Sequence, residues 1–226
     1  MSKSIQQIRQ ELEAFAHEEF GVQIVAKEDS KFMWFLNFFV RPFNPDFMTR
    51  YITTIRTTVY GTRTWMKDDA AVVRVLAHEL VHVYDWYQLK ILFPILYLFP
   101  QILVLGMLGA FGAFWSTTWL WCLAFGVFLA PLPAPFRAWA EFRGYAMTMA
   151  VEVWMDGRRL DQVSPDNPPK WIAQNFVGPD YYFMWPFPKN TANRLTGWLW
   201  IIKSGQYPDY VSIANRIEEI VSQEAT

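Results

Sequence analysis

Apolar residues first recur at helical intervals: Ile5, Ile8, Leu12 and Phe15 return every three or four positions, with Gln, Arg and Glu between them. This pattern predicts an amphipathic helix over residues 4–20, stopped at Gly21. His17, near its end, reads as a solvated surface histidine. The stretch 32–40, Phe-Met-Trp-Phe-Leu-Asn-Phe-Phe-Val, is apolar nearly throughout but too short to span a bilayer as a helix. It predicts a short helix in the core or at a membrane surface. Asn44-Pro45-Asp46 marks a turn. Residues 51–60 are dense in β-branched and aromatic types and predict a strand ending at Gly61. Asp68 and Asp69 then suit the N-cap and first turn of a helix reaching about Lys90, where carboxylates meet exposed amides and the dipole.

From Ile91 to Phe136 the pattern loses its polar half: there is no Asp, Glu, Lys or Arg. That length accommodates two crossings of about 20 residues each. Ser116-Thr117-Thr118, between Trp115 and Trp119, marks the turn between them, and Trp there fits an interfacial belt. Pro94, Pro100 and Pro131 are expected to kink or end the crossings. A second long helix is predicted from about Arg137 to Arg159, then a loop at 161–170 rich in Pro, Asp and Asn, then helical stretches at about 191–203 and 208–223. The expected organisation is an N-terminal part (1–90), a transmembrane hairpin (91–136) and a C-terminal part (137–226). The fold class is α+β, mostly helical. Lys90 on one flank of the hairpin and Arg137 and Arg143 on the other place both termini on the cytoplasmic side of an integral membrane protein.

Composition narrows the function. With 20 basic and 21 acidic side chains the chain lacks the basic excess of a nucleic-acid binder, and it has no phosphate-cradling glycine loop. Twelve Trp and nineteen Phe point to lipid or a large apolar interface. The single cysteine, Cys122, allows no intramolecular disulfide and reads as a small buried hydrophobe. The first residues carry no apolar run of the kind a secretory signal needs.

Candidate chemistry sits in Val75-Leu76-Ala77-His78-Glu79-Leu80-Val81-His82-Val83-Tyr84. Residues i and i+4 of a helix lie one above the other, so His78 and His82 converge on one ion at the ~2.0–2.1 Å that zinc needs. Glu79 occupies the general-base position of HExxH hydrolases. The flanks from Val75 to Tyr84 carry no other charge, so the motif does not read as a solvated face. A catalytic zinc takes a third protein ligand. No further His follows at metzincin spacing, since Asp85 and Gln88 stand where Gly and His would be needed. The third ligand is therefore a carboxylate: Glu141, if the hairpin folds back and brings its two ends together, or alternatively Glu152 or Asp85.

A strand, an HExxH helix, two crossings and a helix bearing Glu together resemble the integral-membrane gluzincin metallopeptidases of the Ste24/HtpX type, over about residues 50–155. The resemblance implies a gluzincin-like helix pair beside a short β-sheet edge. It also implies Zn2+ held by His78, His82 and Glu141, and Glu79 as catalytic base. The strand at about 52–60 would receive a peptide substrate as an added strand. The chain departs from that family at Tyr145, where the second motif has Asp, and in lacking N-terminal crossings. Zinc chemistry then assigns a donor for the developing oxyanion to Tyr145, Tyr181 or Tyr182. The expected function is a membrane-anchored zinc metalloendopeptidase with the lipid bilayer and a protein or peptide as partners. The competing reading is a membrane scaffold without turnover, its helices stapled by the metal.

Overall fold

The computed structural model describes residues 3–42, 44–158, 170–178, 183–205 and 211–222. The described chain is mostly helical with one three-stranded sheet, as the α+β reading expects. It divides into two compact units. The first comprises Met1–Gln88, Arg143–Val163 and Trp198–Thr226, and the second Leu89–Phe142 and Ser164–Gly197.

In the first unit, helix α1 (Ile5–Phe20) starts with a capping box: the Ser4 side chain accepts from the Gln7 amide, and the Gln7 side chain accepts from the Ser4 amide. It ends at Gly21, whose φ of 63° closes the last carbonyls without a Cβ penalty. Its stripe of Ile8, Leu12, Ala16 and Phe20 is buried. Strand β1 (Gln23–Ala26) and the short helix α2 (Lys31–Val40) follow. The expected single strand over 51–60 is a tight hairpin, β2 (Thr53–Ile55) and β3 (Thr58–Gly61), turning at Arg56 with φ 57°. No glycine announces that turn, so composition alone reads through it. The sheet order is β1-β3-β2, with β3 parallel to β1 (Ile24 beside Val59) and antiparallel to β2 (Thr54 beside Val59). Both sides of β3 are thus paired, and among the described residues no further strand pairs with the outer side of β1 or β2.

Helix α3 (Asp69–Leu89) begins where Asp68 accepts from the Ala71 amide. It is followed by α4 (Leu92–Leu98) and α5 (Pro135–Met155). Helix α5 begins with Pro at its first position, where a missing N–H costs nothing. The C-terminal helices are α6 (Lys170–Val177), α7 (Pro188–Ser204) and α8 (Val211–Val221). Val73, Leu76, Ala77 and Leu80 from α3 and Met147, Ala150 and Val151 from α5 join Leu12, Val59 and Ile217 of α8 in one core.

The second unit holds the apolar stretch. It is not two continuous α-helices: α4 is followed by two long 3-10 helices, Gln101–Phe114 and Thr117–Leu129. Among the described residues no single helix is long and apolar enough to cross a membrane. Together α4 and the first 3-10 helix have the length and composition to do so, but they bend by 92° at the break between them. Pro100 stands in that break and has no N–H to continue a helix. A 3-10 helix has three residues per turn, so Gly106, Gly109 and Gly112 fall on one line. A Cβ there would come within 2.6 Å of Phe125, 2.6 Å of the Cys122 sulfur and 2.5 Å of Trp119, respectively. These three partners also repeat every third residue. The glycine period therefore matches the helix type and lets the two helices close, with Cys122 half-buried between them. Their outer surface, including Phe111, Phe114, Trp115 and Trp121, is exposed.

Candidate metal centre

Helix α3 carries His78 and His82 one turn apart, and both are buried, as are Leu76, Ala77, Leu80 and Val81 around them in sequence. Their Nε2 atoms face each other at 3.1 Å. Two bonds of ~2.0–2.1 Å to a tetrahedral zinc require about 3.3 Å between such nitrogens, so the pair stands nearly at ligand spacing. Thr148 Oγ1 donates to the Gly144 carbonyl at 3.3 Å and lies 3.4 Å from His78 Nδ1. The hydroxyl is thereby oriented to accept from an Nδ1–H, and that tautomer would present Nε2 of His78 as the ligand atom.

Helix α5 is one continuous helix, and Glu141, Gly144, Tyr145 and Thr148 follow along it at i, i+3, i+4 and i+7, on one face. Gly144, Tyr145 and Thr148 all meet His78; the Tyr145 ring lies edge-on to it with centroids 4.8 Å apart. Glu141 lies one turn before Tyr145, 2% exposed. The ligand atoms of His78, His82 and Glu141 all lie within 4.8 Å of one another, so this buried group has the arrangement to hold a metal ion. Two imidazoles and a carboxylate are a donor set that suits zinc. Within the second unit, the Tyr97 hydroxyl donates to Glu141 Oε1, and the Arg137 guanidinium stands 5.2 Å from the Tyr97 ring centre.

The rival third ligands have other partners. Glu152 is a half-exposed residue paired with Arg74 at 3.8 Å. Asp85 forms a buried ion pair with Arg143, whose guanidinium also lies 5.8 Å from the Trp198 ring centre. Burial pushes the Asp85 carboxyl up to about 6, against the pull of Arg143. Removing one partner of such a pair strands the other charge. Asp85→Ala should therefore cost about 3–5 kcal/mol of stability, read as thermal unfolding in detergent, with a far smaller loss of metal affinity than Glu141→Ala causes.

Glu79, next to His78, is buried. The fully buried Lys27 lies within the electrostatic reach of that carboxylate: burial holds the Lys27 pKa down at about 8, while Glu79 and Glu28 pull it up. Lys27 Nζ donates to the Phe47 carbonyl at 2.8 Å. Of the three tyrosines considered as oxyanion donors, Tyr145 packs on His78, whereas Tyr181 and Tyr182 lie outside the described residues.

Sequence reasoning overlooked Gly144, Thr148, Tyr97 and Lys27. Gly144 carried a signal, because glycine inside a helix costs about 1 kcal/mol relative to Ala and so calls for a reason. A Cβ at Gly144 would stand 2.7 Å from His78 Cε1 and Nε2. Gly144→Ala should keep α5 helical by circular dichroism yet lower metal affinity about 10–100-fold by displacing that ring. Unchanged affinity would mean that His78 is not a ligand in this pose.

Compared with protein-family models, with curated proteins and with solved structures, the chain gives no significant match.

Proposed function

We propose that this chain is a membrane-anchored zinc metallopeptidase, resembling the Ste24/HtpX type in its site but divergent from it. The observation that carries the reading is the buried His78, His82 and Glu141 group with Glu79 adjacent to the first histidine. Zinc in such a group supplies Lewis acidity and lowers the pKa of a water to about 7. The chain's own residues supply the rest. Glu79 accepts the proton of the water that attacks the peptide carbonyl, and later delivers it to the leaving amine. The buried Lys27 ammonium lies in the field of that carboxylate. Tyr97 steadies Glu141 and Thr148 steadies His78, the outer contacts that orient ligands. A peptide substrate would add to the outer side of β1 or β2 rather than to the already paired β3. The test is cleavage of casein or of membrane substrates by the detergent-purified chain, beside Glu79→Gln.

A second reading is favoured by the depth of the site. Its histidines are 7% and 8% exposed and Glu141 2%, as a metal that only staples α3 to α5 would prefer. Under that reading the protein binds zinc and assembles in the membrane without turnover.

The exposed apolar surface of the 3-10 pair supports the bilayer as its surroundings. Leu92–Leu98 together with the first 3-10 helix has the length and composition of a crossing despite its bend, and the second 3-10 helix is a shorter apolar helix packed against the first. Both termini and the metal group then face the cytoplasm, with the 115–118 turn opposite. In a Cys122→Ser background, Ser116→Cys should label only from the non-cytoplasmic side and Ser222→Cys only from the cytoplasm. Labelling of Ser116→Cys from the cytoplasmic side would rule out a pair that crosses.

A further inference from the structure

Helix α2 is inverted relative to a helix of a water-soluble fold. Its buried positions are Met33 and Asn37, with Leu36 and Val40 half-buried. Its aromatic residues point outward: Phe32 is 49% exposed, Trp34 56%, Phe35 64%, Phe38 76% and Phe39 56%. The rings pack on one another, Phe35 with Phe39 at 5.2 Å and Phe38 with Phe39 at 5.3 Å between centroids, so they present one apolar face. Trp34 keeps its polar end satisfied, its indole N–H donating to the Glu28 carbonyl at 3.2 Å. Burying the ring then leaves no orphaned donor.

We infer that α2 is an in-plane anchor that lies on an anionic lipid surface with Phe35, Phe38 and Phe39 inserted at the acyl boundary. Length excludes a crossing, since ten residues rise about 15 Å against a ~30 Å hydrocarbon core. Charge selects the occupant. Exposed Lys31 and Arg41 bracket the helix and exposed Arg50 follows; the exposed Glu28 and Asp29 just before it are engaged by Arg63, and no acidic residue occurs between Asp29 and Asp46. An aromatic face rimmed by cations complements anionic headgroups. The same rim opposes a second copy of the chain, because two such faces stacked together would bring Lys31 and Arg41 of each helix against like charge. The anchor adds to the membrane reading of the 3-10 pair and stands on separate residues.

The test uses the full chain with Cys122→Ser, reconstituted in phosphatidylcholine–phosphatidylglycerol vesicles. An environment-sensitive fluorophore is attached at Phe38→Cys, at Gln10→Cys on the exposed side of α1, or at Ser116→Cys. Lipids spin-labelled high on the acyl chain should quench the Phe38 probe several-fold more than the Gln10 probe. The Phe38 emission should shift to the blue, and the effect should weaken when phosphatidylglycerol is replaced by phosphatidylcholine. Equal quenching at Phe38 and Gln10 overturns the anchor. So does transfer between Phe38 probes of different copies that persists on dilution into excess lipid, which would make the face a self-association surface. The Ser116 probe reports separately on the 3-10 pair. A Phe38 probe in lipid without sided labelling at Ser116 removes the crossing and leaves the anchor, and the reverse result removes the anchor alone.

Discussion

Glu79→Gln should leave metal content unchanged and reduce peptide hydrolysis by about 10²–10⁴-fold, the contribution typical of a positioned general base. The amide has the same size as the carboxylate and fits the same buried space on α3, so the fold and the two neighbouring imidazoles are retained. What it lacks is a basic oxygen to take the proton from water. Glu79 also stands one residue from His78, off the i, i+4 line on which His78 and His82 meet, so its loss should not open the metal group. Metal analysis and single-turnover cleavage of the same preparation check both halves. Wild-type rates in the variant would remove Glu79 from the chemistry. A wild type that binds zinc and cleaves nothing would favour the scaffold reading.

Glu141→Ala should lower metal affinity by more than the 10–100-fold usual for an outer contact, because it deletes one of the three candidate ligand atoms and the only carboxylate among them. It also removes the acceptor of the Tyr97 hydroxyl, so some stability is lost with it. Tyr97→Phe separates the two effects. It keeps the carboxylate and should fall within the outer-contact range. Glu152→Ala should change affinity little, since Glu152 is half-exposed and paired with Arg74. Titration of these variants with zinc ranks them directly, and a larger loss at Glu152 than at Glu141 would reassign the third ligand.

The parts of this fold that depend on local chemistry were legible in the chain. The apolar period from Ile5 to Phe15 announces α1, Gly21 its end, and Asp68 the start of α3. The i, i+4 spacing of His78 and His82 implied a shared ion before any packing was known. Glu141 required one tertiary assumption, that the apolar stretch doubles back, and the structure places its carboxylate with the histidines. What composition could not provide lay in contacts remote in sequence or in backbone choices without a composition signal. Asp85 reads as a spare ligand until Arg143 is seen against it. Lys27 carries no signal in the sequence, and only the fold buries it beside Phe47, in the field of Glu79. The β2–β3 turn is made by Arg56 in the left-handed region, where no glycine or asparagine marks it. The glycines at 106, 109 and 112 form a contact line only at three residues per turn, a backbone choice that composition does not announce.

X-ray absorption at the metal edge of the detergent-purified chain tests the central claim most directly. The expected result is zinc with two imidazole nitrogens and oxygen scatterers at ~2.0–2.1 Å and no sulfur, and loss of the imidazole signature in His78→Ala/His82→Ala. A sulfur shell at ~2.3 Å, which only Cys122 of this chain could supply as a cysteine ligand, or a histidine-free oxygen shell would contradict it.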